Sequence, residues 1–166
     1  QFLDEWSAMY NSRSGERGIC NRECLSMLAE RSGREVEGIE FGTNPCSEII
    51  LRPKQFCNLT EVVVRAHDDL DSLKAKVSYA TILGTIQSAC TRFKYLDDDW
   101  KNNCEEERLL GVSFTGIYDN RLMSGQEGMP KLRWTLQKLR EVAQETNLIW
   151  SDRLGINPSK AITCCK

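Results

Sequence analysis

Two long segments whose apolar residues recur at helical spacing dominate this chain, and amphipathic helices of that length need a flat surface to cover. In 73–93 the stripe is Leu73, Val77, Ala80, Leu83, Ile86 and Cys90; in 131–150 it is Leu132, Leu136, Leu139, Val142 and Ala143. Between them, Leu109–Ile117 alternates and is partly β-branched, which predicts a strand. Leu59–Arg65 predicts a strand or the lead into a helix, and Ala161–Cys164 a final strand. Upstream, Phe2, Leu3, Trp6, Met9 and Tyr10 predict an opening helix, and Asn21–Glu30 a second one ending near Gly33. Ile49, Ile50 and Leu51 form a short apolar run broken by Pro53. This mixed order predicts an α/β architecture. The strands are few for the helices, and a parallel crossover unit needs neighbouring strands to bury both its faces. The chain therefore reads as a piece of a larger domain.

The balance of charge narrows the partners. Among 166 residues, 22 basic against 24 acidic side chains leave a net charge of −2 with no basic block, which argues against direct nucleic-acid binding. No stretch approaches the roughly 20 apolar residues that span a bilayer, and no signal segment opens the chain, which starts at Gln1. Eight cysteines stand at 20, 24, 46, 57, 90, 104, 164 and 165. Cys20 and Cys24 lie four apart on the expected second helix, Cys164 and Cys165 are adjacent, and Cys90 sits within a long helix. Mostly free thiols in a reducing, cytoplasmic compartment are expected. No Cys-x-x-Cys pair and no Cys/His pairing exists, so no metal site is expected. The acids around His67 (Asp68, Asp69, Asp71) and those at Asp97–Asp99 read as helix caps, Glu105–Glu107 as a solvated face, and His67 as a surface histidine.

Thr43-Asn44-Pro45-Cys46-Ser47-Glu48 is the informative stretch. It sets an amide, a thiol and a carboxylate two residues apart, which in an extended segment share one face. A carboxylate beside a thiol disfavours the thiolate, so the pattern does not suit a cysteine nucleophile. It suits sulfur as a hydrogen-atom relay with a carboxylate base. Cys57 follows eleven residues on, past Pro53 and Phe56, where a turn would return a second sulfur towards the first.

Asn-Pro-Cys-x-Glu resembles the finger-loop signature of ribonucleotide reductase catalytic chains. Phe56-Cys57-Asn58-Leu59 with Glu61-Val62 is similar to the segment that follows it in the adenosylcobalamin-dependent, class II enzymes, as is the short spacing from Cys46 to Cys57. Ala80–Ser88 and Glu105–Ile117 resemble the monomeric, triphosphate-reducing branch. Ser14–Ile19 and Asn157–Cys164 also fit the family. The resemblance covers nearly the whole chain and implies a part, residues 1–166, of the centre of a ten-stranded α/β barrel with a radical-bearing finger loop. It implies reduction of ribonucleotides, triphosphates in that branch, to 2′-deoxyribonucleotides for DNA replication. Cys46 would carry the thiyl radical and take the 3′-hydrogen atom. Glu48 would accept the 3′-hydroxyl proton. Asn44 would orient the sugar. Cys57 would be one of two thiols that end as a disulfide. The cofactor implied is adenosylcobalamin. The partners implied are the ribonucleotide, the remaining parts of the reductase polypeptide and a dithiol reductant such as thioredoxin.

The family's chains are several times longer, and their second reducing cysteine, effector region and substrate-phosphate loop have no counterpart here. Cys104 and Cys165 read as substitutions within familiar blocks. The expectation is a segment that is inactive alone and works with complementary polypeptide, whether as a split subunit or as an interrupted precursor. The alternatives are a non-catalytic interaction fragment of a decayed or split reductase, or a class I segment, which shares Asn-Pro-Cys-x-Glu but pairs with a separate radical subunit.

Overall fold

The computed structural model describes residues 1–15 and 18–163. Helix α1 (Phe2–Ser12) buries none of its residues, and Phe2, Leu3, Trp6 and Tyr10 stand in solvent. Helix α2 (Arg22–Arg31) starts on Asn21, whose side-chain oxygen accepts from the backbone N–H of Glu23 and Cys24. Cys20 thus precedes the helix instead of sharing a face with Cys24, as the four-residue spacing had suggested. Leu25 and Ala29 turn inward from α2 to pack with Phe41 in a small core. Phe41 leads into an antiparallel hairpin, β1 (Gly42–Thr43) and β2 (Ile50–Leu51), with Gly42 opposite Leu51 and Thr43 opposite Ile50.

The second half is a run of parallel crossovers. Strand β3 (Asn58–Val63) leads to α3 (Leu70–Ser88) and α4 (Asp98–Glu107), then to β4 (Leu110–Thr115), then through a 3-10 turn at Ile117–Asp119 to α5 (Met129–Leu154) and β5 (Ile162–Thr163). The sheet order is β3-β4-β5, all parallel, with Asn58 opposite Leu110 and Leu110 opposite Ile162. Helices α3 and α5 pack on each other and on the sheet around Val62, Val64, Leu73, Val77, Val112, Phe114 and Leu139. The α/β expectation is met. No barrel closes among the described residues, and Cys164, expected at the end of the last strand, lies outside them.

Two further expectations need correction. The stripes of α3 and α5 are narrower than an apolar reading gives: Leu83 is 62% exposed, and Ile86 and Leu136 are also exposed, as is Cys90 beyond the end of α3. In their place the interface buries Thr81, Thr85, Ser88, Thr135, Thr146 and Asn147. The hydroxyls of Thr81, Thr85 and Ser88 satisfy themselves on carbonyls of their own helix, at 2.7–2.8 Å, and Asn147 Nδ2 donates to Thr85 Oγ1 at 2.9 Å. Small side chains bonded in this way let the two helices approach closely, and among the buried residues named here only Thr135 Oγ1 is left without a partner.

Glu105–Glu107, expected as a solvated face, end α4, and Glu107 is buried. As expected, Asp97 stands at the N-cap of α4 and Asp98 and Asp99 in its first turn, and Asp97 and Asp99 also pair with Lys54, at 2.9 and 2.6 Å. The capping reading also holds at α3, where Asp69 accepts from Ser72 N at 2.8 Å. Asp68 is buried under Arg65 N, Ser72 Oγ and Lys76 Nζ, and His67 is exposed.

Candidate active site

The hairpin carries the thiol at its tip. Residues 44–49 form a loop, with Pro45 and Cys46 in the turn and Ser47 in the left-handed region at φ 62°. An extended segment with three side chains on one face is therefore not what forms. Asn44 braces the loop from within. Its N–H donates to Ile49 O at 3.2 Å, and its side-chain Oδ1 accepts from Ile49 N at 3.0 Å. Its carbonyl accepts from Ser47 N at 2.9 Å, closing the turn around Cys46. Pro45 has no N–H to satisfy, which suits a turn residue with no partner above it. Cys46 is exposed.

Glu48 lines a cavity that Cys46 does not. This cavity, of 720 Å³, is bounded by α2, the hairpin, the start of β4, α5 and the 159–163 segment. Glu48 Oε2 is buried with no hydrogen-bond partner. A carboxylate oxygen in that state is costly unless a ligand or proton completes it. The same cavity takes Arg31, Arg140 and Lys160 on its walls, with Leu28 and Ile49 among the apolar side chains. A pocket of this volume, with apolar and charged side chains on its walls, is of the size that takes a small molecule.

Cys57 stands just before β3, half-buried against Ile49 and Leu109. It lines a separate cavity of 290 Å³ together with Cys90 and Cys104. Burial pushes the Cys104 thiol up from its ordinary value, and its sulfur accepts from Phe56 N at 3.3 Å. No disulfide joins the six described cysteines. Cys46 lines neither cavity, so the loop does not bring the two sulfurs expected to act together into one pocket.

Sequence reasoning missed the group beneath the hairpin. Arg34, just past α2, meets Glu107 from the end of α4 in a fork of two bonds, Nε to Oε1 at 2.9 Å and Nη2 to Oε2 at 2.8 Å. Gln55 Nε2 donates to the same carboxylate, and Arg34 Nη1 donates to Ile50 O of β2 at 2.8 Å. Both side chains of the pair are almost fully enclosed. Burial pushes the Glu107 carboxyl up, but the bonds from Arg34 and Gln55 outweigh it and hold it below the ordinary value. The one signal for this pair was position: Glu107 ends a charged helix two residues before the apolar Leu109-Leu110, where the chain enters the sheet.

This chain is 28% identical to the adenosylcobalamin-dependent ribonucleoside-triphosphate reductase of Lacticaseibacillus paracasei over 96% of its own length, and 28% identical to that of Lactobacillus acidophilus over 92%. It is similar to two adenosylcobalamin-dependent ribonucleoside-triphosphate reductases. The chain spans 24% of the length of each of these reductases. No family model matches it, and no solved structure does. The described residues do not themselves form a seat for a corrin. The cavity beside Glu48 is of small-ligand size, and the sole histidine, His67, lies exposed in the turn before α3 and does not line it. No helix of the described residues is long and apolar enough to cross a membrane.

Proposed function

We propose that this chain supplies the radical-bearing hairpin and part of the substrate pocket of a ribonucleotide reductase, within a ten-stranded α/β barrel completed by further polypeptide. The carrying observation is the hairpin itself: a thiol at the tip and, two residues on, a carboxylate oxygen buried without a partner beside a small-ligand cavity. The relatives' names support the reaction class. In this reading Cys46, as a thiyl radical, takes the hydrogen atom from C3′ of the ribose. Glu48 accepts the 3′-hydroxyl proton into the position its bare oxygen leaves. The amide nitrogen of Asn44, which its bond to Ile49 does not use, orients the sugar. The cations on the cavity wall meet the substrate phosphates, as guanidinium and ammonium groups do.

Cys57 and a second thiol from the complementary polypeptide supply two electrons. In balance, one ribonucleotide and two thiols give one 2′-deoxyribonucleotide, one disulfide and water. The hydrogen atom returns to C3′ and restores the thiyl radical. Adenosylcobalamin is the proposed source of that radical, and a dithiol protein such as thioredoxin the proposed reductant, in the cytoplasm. A covering polypeptide would shield the exposed Cys46 from quenching.

The test joins this chain with the rest of the reductase, a ribonucleoside triphosphate, adenosylcobalamin and a dithiol, and measures deoxynucleotide. The assembly is expected to turn over, the chain alone to give none, and Cys46→Ser to abolish product. Product from the Cys46→Ser assembly would overturn the reading.

A further inference from the structure

Arg34 touches both legs of the hairpin. Its guanidinium lies over the ring of Phe41, the residue before β1, at 5.0 Å, and Nη1 holds Ile50 O of β2 at 2.8 Å. The remaining nitrogens of the fork are committed to Glu107, with Nη2 also reaching Gln55 Oε1 at 3.3 Å. Gln55 in turn accepts from Arg52 N at 3.1 Å through that oxygen, so the segment leaving the hairpin is tied to the same centre. The arginine is itself pinned: Gly33 closes α2 in the left-handed region at φ 74°, and Arg34 N donates back to Ala29 O. Glu107 is pinned from the other side, where its carbonyl accepts from Lys160 N at 2.8 Å and the chain enters β4. One planar cation therefore fixes both ends of the hairpin to the helix in front and to the sheet behind. Ile50 pairs with Thr43, next to the Asn44–Ile49 bonds that shape the tip.

We propose that the buried Arg34–Glu107 pair is a positioning device for the hairpin, setting where Cys46 stands relative to the cavity that holds Glu48. The proposal rests on the functional reading above for what the thiol does, but not for how it is held. A buried ion pair is seldom the most stabilising way to fill its space, since matched apolar side chains often do as well. What apolar side chains cannot do is donate to Ile50 O and stack on Phe41 while fixing one orientation.

The test uses Arg34→Lys, which keeps the cation but loses the fork, and the double variant Arg34→Met with Glu107→Leu, which removes both charges together. Two measurements are made on each: amide hydrogen exchange at Asn44 and Ile49 against Leu110 in β4, and kcat and KM of the assembled reductase. Exchange is expected to quicken about tenfold at the hairpin amides with Leu110 unchanged, and kcat to fall about tenfold with KM unchanged. A role in stability alone would quicken exchange at Leu110 as much as in the hairpin, and that result overturns the proposal. Unchanged hairpin exchange overturns it too, as does unchanged kcat in an active assembly. Exchange needs no turnover, so an inactive wild-type assembly would overturn the functional reading while the pair is still judged on exchange.

Discussion

Glu48 holds one oxygen away from water and without a partner, and that state has a measurable consequence. If the carboxylate acts as base, Glu48→Gln removes the acceptor and keeps the shape. The expected result is a fall of about 10²–10⁴ in kcat of the assembled enzyme with the fold retained, read by steady-state kinetics and thermal unfolding. A cost in stability is not expected, because the buried oxygen has no bond to lose. The chemistry of 44–48 was legible in the sequence because it depends on residue type and short spacing. Its geometry was not: an extended segment and a six-residue turn share the same letters, and only the bonds from Asn44 to Ile49 and Ser47 decide between them. Arg34 and Glu107 were hidden for a related reason. Their meeting spans 73 residues of chain, and no local pattern encodes a contact of that range.

Among the elements, α3 and β4 offer two glycines with opposite fates. Gly84 lies in the middle of α3, and a methyl group there would meet Leu110 and Thr60 at 3.5 Å, ordinary contact. Gly84→Ala should raise stability by up to about 1 kcal/mol through helix propensity, read as a higher Tm. Gly116, just past β4, has φ 74°, and a methyl group would sit 2.5 Å from Val64 O. Gly116→Ala should lower stability by at least about 1 kcal/mol, because both the backbone conformation and the space are wrong. Most helices and strands were legible from periodicity, since Leu73, Val77, Leu139 and Ala143 do face the core. Helix α4 escaped because, apart from Trp100 and Cys104, it is polar or charged, and it buries only Cys104 and Glu107. The threonine and serine seam between α3 and α5 escaped because hydroxyls that bond to their own helix count as polar in any hydropathy reading.

At the scale of the whole molecule, acid should act through the buried carboxylates. Glu107 is held below its ordinary value of about 4.5, so the stability it contributes is complete above that pH and is lost as the pH falls through the lower value it has in the folded chain. Asp68, where burial raises the carboxyl but the bonds from Lys76, Arg65 N and Ser72 win, acts with the same sign. Thermal unfolding followed from pH 7 downward should show Tm falling below about pH 4.5, and Glu107→Gln should flatten that part of the curve. Strand β3 has no strand on its outer side among the described residues, and Leu59 and Val63 stand in water on its uncovered face. A bare strand rim of six residues with apolar side chains is a template for self-association. Purified by itself at high concentration, the chain should therefore clump through that rim, and a lysine at position 59 or 63 should keep it dispersed.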